Sequence, residues 1–500
     1  MTTRPTAPIE LTGFSSHLRS ARVTVSQEFV AELESICEVT SAVNDVAAVA
    51  EASRDWWPIA LHWALAGEVP SLAAVIAHPH STEEVSRVLS MCNTHRVPVT
   101  AAGGRSGVCG ASIPVHGGVV LDTTGLTGLV AVDAVSGVVE VRPGTFGPDL
   151  ERELQESFGL TVGHHPQSFD LATVGGWVAC RGAGQYSTRY GKIEDMVIGL
   201  EVVLADGSIV RTGGHAAGAV GPDLDAIFVG SEGTLGIVTS VLLRTHPVAE
   251  HIGKSAYRFP TLDAAFEGCR RAIQAGATPA VMRLYDAIES ARSHGGDGAQ
   301  CTLLVLDEGH PLLVAATLEV VDEQFRSAGA EGADESLVDH WLEHRNDTTA
   351  LQGLTRKGFA VDTMEVTAPW SRLREVYDAV RKAALEVEHV VAASAHLSHS
   401  YPDGACLYFS IAARPPKDSS IDLIDATHRD MWDAAQRAAL HAGANLSHHH
   451  GIGLNRARYM AEAMGSSFDV LELLKASLDP NGILNPGKLG LPDHFGESGW

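Results

Sequence analysis

Glycine is concentrated in one part of this chain, and that concentration restricts the possible fold more than any other feature. The 500 residues include 50 glycines, most densely placed between about residue 100 and residue 236. Glycine adopts positive φ values without strain and lets a neighbouring chain or a ligand approach the backbone closely. We therefore expect a domain in which short strands lead into ligand-binding loops.

Three segments carry these glycines: residues 98–110, 163–176 and 230–238. Successive N–H groups of such a loop can turn toward one point and bind an anion, and Ser106 adds a hydroxyl donor. The first segment has neither the G-x-G-x-x-G spacing of dinucleotide-binding folds nor the Gly-Lys-Ser/Thr of a P-loop. On its own it is as compatible with a plain glycine-rich loop as with a phosphate cradle.

The apolar patterning around these loops predicts a mixed α+β fold. Residues 14–68 have helix-like apolar spacing, and Ser81 with the acids after it marks a helix that ends near Asn93. Asp206 and Gly207 stand between two apolar runs, which is a strong signal for a β-hairpin. Strands and helices follow one another without regular βαβ spacing, which argues against a doubly wound sheet. Further predicted elements are strands at residues 97–100, 118–122 and 139–142 and a helix at 150–158.

Beyond residue 247 the pattern becomes a regular alternation of strands and helices, which implies a second domain with helices on one face of a sheet. The predicted strands are residues 256–259, 282–285 and 301–306, and the predicted helices are residues 262–275 and 312–328. With a boundary near residue 248, the chain divides into an N-terminal helical extension (1–69), a first domain (70–248) and a second domain (249–490).

The charge of the chain limits its partners. Lys and Arg number 36 against 61 Asp and Glu, a formal net charge of −25, which repels nucleic-acid phosphates and anionic membrane surfaces. We therefore expect no nucleic-acid partner, and an anionic ligand needs a locally basic site. No apolar run approaches the ~18 residues that span a bilayer, and no signal-peptide pattern is visible.

The seven cysteines are widely spaced and form no C-x-x-C motif. An odd number of scattered cysteines is typical of reduced thiols in a cytoplasmic protein. The pattern disfavours a disulfide framework, a cysteine-based zinc site and an iron–sulfur cluster.

Two histidine-containing segments of the second half carry candidate chemistry. One includes His399, and the other, residues 446–453, has three consecutive histidines before a Gly-Ile-Gly turn. On an extended chain only His448 and His450 share a side, so a metal site needs ligands from elsewhere. We predict that a helix at 455–464 follows the turn, with an N-terminus that favours an anion. Imidazoles beside an anion suit acid–base catalysis near neutral pH, although histidine tracts also occur on surfaces without a function.

Together, the three glycine segments resemble the FAD-binding domain of the vanillyl-alcohol-oxidase, or p-cresol-methylhydroxylase (PCMH), type of flavoprotein. The resemblance covers about residues 70–245. It implies an α+β chain with a PCMH-type FAD-binding domain, followed by an α/β cap domain for the substrate that contains an antiparallel sheet. In that family the first loop holds the pyrophosphate, the second segment lies beside the flavin and the third holds the adenine side. The residues that the resemblance assigns to FAD are Gly103, Gly104, Arg105, Ser106, Gly107, Pro166, Thr173, Gly175, Gly176, Tyr190, Glu232, Gly233 and Ile237.

Many members of that family attach the flavin covalently to a histidine in or near the first loop. In this chain Cys109 stands near such a position, and the next histidine is His116. We therefore expect FAD to be bound non-covalently.

The second half resembles two branches of the same family. One branch is the D-2-hydroxyacid dehydrogenases, in which two histidines and a glutamate hold a divalent metal. This chain keeps a histidine at one position, His399, and has Tyr408 and His449 at the other two. Because the carboxylate is missing, we expect no metal.

The other branch is the alkyldihydroxyacetonephosphate synthases, with the motifs Gly-Ala-Cys-Ile-Tyr-Phe and Ser-His-His-His-Gly-Val-Gly. Residues 404–409 and 447–453 correspond to these motifs. The resemblance implies acid–base roles for the tyrosine and the histidines, and anion binding or a structural role for the arginines. Without the resemblance, an ion pair for each arginine and a core position for the tyrosine are equal alternatives. The catalytic residues it implies are Tyr408, His448, His449, His450, Arg356, Arg283 and His164.

The synthase resemblance implies a redox-neutral reaction, in which a fatty alcohol replaces the acyl chain of acyl-dihydroxyacetone phosphate during ether-lipid synthesis. The alternatives are an FAD-dependent oxidoreductase acting on a D-2-hydroxy acid or an alcohol, and a flavin-binding protein without catalysis. The expected substrate is a small molecule or lipid with an anionic group. We further expect a cytoplasmic homodimer, with peripheral membrane contact if the substrate is a lipid.

Overall fold

The N-terminal segment contacts both halves of the molecule. The computed structural model describes residues 9–296, 298–347 and 349–500. The helical prediction for residues 14–68 holds for three helices but not for β2, which pairs antiparallel with the first strand of the next domain. Adjacent β-branched residues in β2, Val39 and Thr40, favour a strand there. The elements are β1 (Ser15–Ser16), α1 (Gln27–Glu34), β2 (Glu38–Ser41), α2 (Val46–Ala52), α3 (Pro58–Leu65) and β3 (Glu68–Val69).

The first domain contains two larger sheets and a short antiparallel pair of β9 and β13, and the glycine segments lie in its loops. One sheet has the order β2-β4-β6-β5, with β4, β6 and β5 parallel, and the other is antiparallel with the order β11-β10-β12-β8-β7. The predicted hairpin joins β10 to β11. The strands are β4 (Val75–His78), β5 (Val99–Ala102), β6 (Val119–Asp122), β7 (Leu129–Asp133), β8 (Val138–Val141), β9 (Leu160–Thr161), β10 (Val197–Val203), β11 (Ile209–Gly213), β12 (Ile237–Arg244) and β13 (His246–Pro247). The helices are α4 (Thr82–His95), α5 (Gly147–Phe158), α6 (Val174–Cys180), α7 (Ser187–Tyr190), α8 (Ile193–Met196) and α9 (Asp225–Phe228), with a 3₁₀ turn at Thr123–Gly125.

The second domain is built on one antiparallel sheet of seven strands, in the order β17-β14-β16-β15-β19-β20-β18. The strands are β14 (His251–Phe259), β15 (Val281–Tyr285), β16 (Cys301–Gly309), β17 (Glu331–Ala333), β18 (Ala360–Pro369), β19 (Val390–Ser400) and β20 (Gly404–Ala413). The helices are α10 (Leu262–Gln274), α11 (Ala287–Ser293), α12 (Pro311–Ser327), α13 (Ser336–His344), α14 (Thr349–Thr355), α15 (Leu373–Leu385), α16 (Ile421–His441), α17 (Met460–Met464) and α18 (Ser467–Leu478), with a 3₁₀ turn at Ala457–Tyr459.

The two faces of this sheet have different neighbours. Strand side chains alternate between faces, and one set, including Leu303 and Val305, packs with α10, α12, α15 and α16 in the largest apolar core. The opposite set, including Leu304 and Leu306, packs with α13 and with Tyr186 of the first domain. The predicted arrangement, helices on one face, is therefore correct for the four long helices, and α13 is an addition on the other face.

The chain returns to the first domain after α18. Leu484 forms a parallel bridge with Val99 of β5, and Ile483 and Leu484 join the apolar core of the four-stranded sheet. Residues far apart in sequence therefore complete the layer beneath the first glycine segment. Among the described residues, no helix combines the length and apolar character needed to cross a membrane.

Candidate active site

A cavity lies between the three glycine segments and side chains of β15, β19 and β20. The first segment follows β5, the second leads into α6, and the third leads into β12. The structure therefore brings together stretches that are more than a hundred positions apart. The predicted cofactor residues that line the cavity are Gly103, Gly104, Arg105, Ser106, Gly107, Pro166, Thr173, Gly175, Gly176, Glu232, Gly233 and Ile237.

Glycine is required in the first segment because another chain segment passes directly against it. A Cβ atom on Gly104 would overlap the carbonyl oxygen of Leu171 in the second segment. A Cβ atom on Gly107 would meet only Asp55 Oδ2, at 3.7 Å, an ordinary contact. Gly104 therefore fixes the spacing of the two loops, whereas Gly107 leaves open backbone beside the cavity.

Buried polar atoms without partners mark the second segment as a ligand site. Among the described residues, neither ring nitrogen of His164 nor the indole nitrogen of Trp177 has a hydrogen-bond partner, and both side chains line the cavity. Leaving such groups unpaired in the interior costs free energy, so a ligand with polar groups fits here. Burial lowers the pKa of His164 to about 3, so its imidazole is neutral at pH 7.

Arg283 supplies a positive charge to the cap side of the cavity. Its Nε donates to the Tyr285 hydroxyl at 2.9 Å, and an Nη lies 2.6 Å from Nε2 of His396. No carboxylate forms an ion pair with Arg283 among the described residues. A half-buried guanidinium with spare donors is suited to binding a carboxylate or phosphate.

Tyr408 lies between two imidazoles at the same end of the cavity. Its ring is nearly parallel to those of His396, at a centroid distance of 4.8 Å, and His449, at 5.9 Å. Its hydroxyl donates to Thr363 Oγ1 at 3.1 Å, and burial raises the pKa of the phenol. Tyr408 is therefore a neutral hydrogen-bonding group at physiological pH.

The three consecutive histidines wrap around one buried carboxylate, Glu365 of β18. Their backbone N–H groups donate to Glu365 Oε1 at 3.1, 3.1 and 2.9 Å, and the hydroxyl of Ser447 donates at 2.7 Å. The Arg456 guanidinium pairs with both carboxylate oxygens. Burial alone would raise the pKa of Glu365, but Arg456 and His450 hold it well below its ordinary value.

This arrangement corrects the prediction of a helix over 455–464. The chain first makes turns, a 3₁₀ segment begins at Ala457, and α17 begins only at Met460. The backbone donors that a helix N-terminus would have offered to a ligand are used by the protein itself, since Glu365 and Glu232 accept from residues 448–453. The histidine side chains, not the backbone, are what this segment presents to the cavity.

His449 and His450 both line the cavity. Nδ1 of His450 lies 3.0 Å from Glu365 Oε2, which leaves its Nε2 for a ligand. Burial, together with neighbouring His450, lowers the pKa of His449 well below its usual range, so that ring is neutral at pH 7. The segment thus presents imidazole nitrogens to the cavity, and the uncharged ring of His449 can accept or donate a hydrogen bond there.

His448 is buried behind the cavity wall and connects His449 to the first domain. Its Nδ1 lies 2.8 Å from Nδ1 of His449, and its Nε2 is hydrogen-bonded to the Tyr401 hydroxyl at 2.7 Å. The Tyr401 hydroxyl also lies 3.1 Å from Ser187 Oγ of α7. The position of the proton on His449 therefore depends on His448 and, through it, on the hydroxyl of Tyr401 in the second domain and that of Ser187 in the first domain.

Comparison with known proteins agrees with this geometry. The sequence model for the FAD binding domain matches residues 73–213, and the one for the C-terminal domain of FAD linked oxidases matches residues 250–489. An uncharacterized FAD-linked oxidoreductase of Escherichia coli, YgcU, is 34% identical over 84% of this chain and 89% of its own length. This chain belongs to the FAD-linked oxidoreductase family.

Two more distant proteins complete the comparison. The alkyldihydroxyacetonephosphate synthase of Dictyostelium discoideum is 28% identical to this FAD-linked oxidoreductase, over 85% of the chain and 74% of its own length. The crystal structure of p-cresol methylhydroxylase superposes with a TM-score of 0.75 over 96% of this chain and all of the other, at 18% identity. The predicted α+β class and PCMH-type fold are therefore confirmed, and so is FAD as the cofactor of an enzyme.

Three predicted site residues of this oxidoreductase do not line the cavity. His448 is buried behind it, as described above. Tyr190 donates its hydroxyl to Glu308 of β16 at 2.7 Å and so joins the two domains. Arg356 is exposed in the turn after α14, away from the cavity-lining residues.

Glu232 lines the cavity, but its carboxylate has protein partners. It accepts hydrogen bonds from the backbone N–H groups of Ile452, at 2.6 Å, and Gly453, at 2.8 Å. Glu232 therefore ties the third glycine segment to the histidine segment of the cap domain. Its assignment to the adenine side of FAD stays a prediction.

Sequence reasoning missed several residues of the site. Glu365 and its partner Arg456 lack any local motif, because their link joins positions 91 residues apart. Gln185 and Trp56 line the cavity from stretches outside the three glycine segments. For Trp56 the only signal was an aspartate followed by two tryptophans, which has no general functional meaning.

A group of four potential metal ligands lies beside the cavity. One donor atom each from His399, Cys406, His448 and His449 falls within 4.8 Å of the others. Both ring nitrogens of His399 already have hydrogen-bond partners, Ser398 Oγ at 2.8 Å and the Gly184 carbonyl at 3.1 Å. The expectation that the enzyme uses no metal stays a prediction, as does the homodimer.

Covalent attachment of the flavin has no obvious anchor in the first loop. Cys109 is buried and is not a cavity-lining residue. His116 is bound to Asp493 at 2.7 Å and to the Ala21 carbonyl at 2.8 Å, outside the cavity. Non-covalent binding of FAD therefore stays the expectation.

Proposed function

We propose that this enzyme oxidises a small anionic alcohol, such as a D-2-hydroxy acid, with FAD as the oxidant. The observation that carries the proposal is the composition of the cap wall. The cap side chains that line the cavity are all polar: Arg283, Ser398, His399, Tyr408, His449 and His450. Such a wall favours a short, polar substrate over a long alkyl chain.

Arg283 is the proposed anchor for the anionic group. It is the cap cation at the cavity, and its remaining donors are free of a carboxylate partner among the described residues. A charge-assisted hydrogen bond to a carboxylate fixes both the position and the orientation of the substrate. An acidic protein of net charge −25 needs such a local cation to bind an anion at all.

His450 is the proposed general base. Glu365 faces its Nδ1, which leaves Nε2 to accept the hydroxyl proton of the substrate, and the carboxylate stabilises the imidazolium that forms. The C–H and O–H bonds at the alcohol carbon break, a carbonyl forms, and the proton stays on His450. The hydrogen on carbon leaves with the two bonding electrons as a hydride, for which FAD, when bound, would be the oxidant.

A second candidate is the exchange reaction of an alkyldihydroxyacetonephosphate synthase. It is favoured by the stacking of Tyr408 on His449 within the two shared motifs, and by the relative in Dictyostelium discoideum. In that reaction Arg283 would bind the phosphate. The cap wall, whose described cavity-lining residues include no aliphatic side chain, favours the first candidate.

An anaerobic visible spectrum tests the two candidates. We expect the flavin absorbance to bleach on addition of a D-2-hydroxy acid from a panel of increasing chain length. Arg283→Met should weaken binding of this acid about 10- to 100-fold without loss of flavin. Arg326→Met, an exposed control on α12, should leave the binding of the acid unchanged. Absence of bleaching with every acid, together with ether product from acyl-dihydroxyacetone phosphate and a fatty alcohol, would replace the first candidate by the second.

A further inference from the structure

We infer that the N-terminal segment is part of the FAD site, with Trp56 contacting the bound cofactor and Asp55 bracing the first glycine loop. This segment lies outside both matched domain models, of which the first begins at residue 73 and the second at residue 250. The inference concerns cofactor binding, so it does not depend on which substrate the enzyme uses.

Trp56 reaches the cavity beside the first glycine segment. Its side chain lines the cavity together with Gly107, Val108 and Ser112. Its backbone N–H donates to the Gly107 carbonyl at 2.8 Å, which fixes the backbone of Trp56 relative to the loop. Trp56 is thus the aromatic residue at this part of the cavity, where the loop contributes glycines and the small side chains of Ser106, Val108 and Ser112.

Asp55 and Trp57 support the same loop from behind. Asp55 is buried, its Oδ1 accepts from the Trp57 N–H at 3.1 Å, and its Oδ2 faces Gly107. The ring of Trp57 lies 3.1 Å from the position of a Cβ atom on Gly110. Asp55 is withdrawn from solvent, and this burial raises its pKa to about 7.

The chemistry of FAD fits this wall. A glycine loop binds the cofactor through backbone N–H groups but gives little apolar contact. FAD presents flat ring systems with apolar faces, and a tryptophan provides a large, rigid surface for contact with such faces at a low cost in conformational entropy. Trp56 therefore supplies apolar contact area that the loop lacks. Residues 55–57 hold the Trp56 backbone in place beside the loop.

FAD titration of the apoprotein tests the inference. We expect Trp56→Ala to raise the dissociation constant for FAD about tenfold or more, measured by isothermal titration calorimetry, because the aromatic contact is lost. Trp56→Phe retains a flat ring and should stay within about threefold of the wild type. If Trp56→Ala does not accumulate as folded protein, Trp56→Leu, which keeps more of the volume but not the ring, replaces it.

Trp63→Phe is the control, because Trp63 is buried against Trp57 and Trp500 and does not line the cavity. It should lower the melting temperature while leaving the FAD dissociation constant within about threefold. An unchanged dissociation constant in a folded Trp56→Ala or Trp56→Leu variant would overturn the inference. An equal loss of affinity in Trp63→Phe would also overturn it, since the effect would then come from the fold rather than from contact.

Discussion

Glu365 shows how a single side chain can organise a site that no local motif reveals. It accepts three backbone N–H groups of the histidine segment and pairs with the fully buried Arg456. Sequence reasoning expected these backbone donors to serve a ligand. It could not assign them to Glu365, because the partner lies 83 residues earlier in the chain.

The Glu365→Gln variant should lose about 3–5 kcal/mol of unfolding free energy at pH 7, because the Arg456 charge is left buried without its counter-ion. The pKa of Glu365 is held well below its ordinary value of 4.5, so its stabilising contribution is present above pH 4.5 and is lost as the pH falls. Between pH 7 and pH 4, the free energy of unfolding of the variant should therefore fall less than that of the wild type. Urea unfolding at pH 7 and pH 4 measures both effects.

The control for this variant is Glu375→Gln, which removes an exposed pair with Arg372 at the start of α15. Its cost should be below about 1 kcal/mol. Equal stabilities of the two variants would show that the buried pair contributes no more than a surface pair.

The Tyr401→Phe variant should slow the flavin-reduction step about tenfold, with little change in substrate affinity. The Tyr401 hydroxyl is hydrogen-bonded to His448, which in turn is hydrogen-bonded to His449. Without the hydroxyl, nothing in this chain of hydrogen bonds selects which ring nitrogen of His449 carries the proton. Stopped-flow reduction over a range of pH values measures the change, and Ser187→Ala, which leaves the Tyr401 hydroxyl in place, should have a smaller effect. An unaltered rate and pH profile would mean that Tyr401 is only structural.

At the scale of elements, strands and long helices followed from the sequence better than the short connections did. The hairpin at Asp206 and Gly207 was predictable because its turn chemistry is local. The edge strand β2 was missed, since its pairing partner β4 lies more than thirty positions later. The helix expected at 455–464 begins late because hydrogen bonds to Glu365 and Glu232 determine the backbone before it.

The close approach of two loops gives a prediction at this scale. Gly104→Ala should cost at least about 3 kcal/mol of unfolding free energy in the apoprotein, because a methyl group meets the backbone of Leu171, which cannot rotate away. Gly107→Ala, in the same loop, should change it by less than about 1 kcal/mol, since only an ordinary contact with Asp55 is added. Thermal melts of the two apoproteins distinguish steric cost from loss of FAD, and equal melting temperatures would contradict the argument.

At the scale of the whole molecule, His17 links the N-terminal segment to the cap domain. Its ring nitrogens lie 2.8 Å from Glu68 Oε2 and 2.6 Å from Asp425 Oδ2 of α16. The ring stacks on Trp63, whose indole N–H donates to the same Asp425. Burial alone would lower the pKa of His17, but the two carboxylates outweigh burial and raise it above 6.5.

A raised folded-state pKa means that protonation of His17 stabilises the fold. The contribution is complete below pH 6.5 and disappears as the pH rises through the folded-state pKa. His17→Gln should therefore cost about 1–2 kcal/mol at pH 6 and much less at pH 9, measured by denaturant unfolding. The control His95→Gln, which removes an exposed contact with Glu32, should cost less than about 0.5 kcal/mol. If the loss of unfolding free energy in His17→Gln does not shrink with rising pH, protonated His17 does not stabilise the contact between the N-terminal segment and the cap domain.

The C-terminal return of the chain has a consequence for when the first glycine loop is supported. Asn485 donates to the Ala111 carbonyl and Lys488 to the Ile113 carbonyl, contacts that span 374 and 375 positions. While the protein is being synthesised, the first glycine loop leaves the ribosome long before these partners exist. Such distant contacts form slowly, so the loop gains this support only after the C-terminal residues have been synthesised.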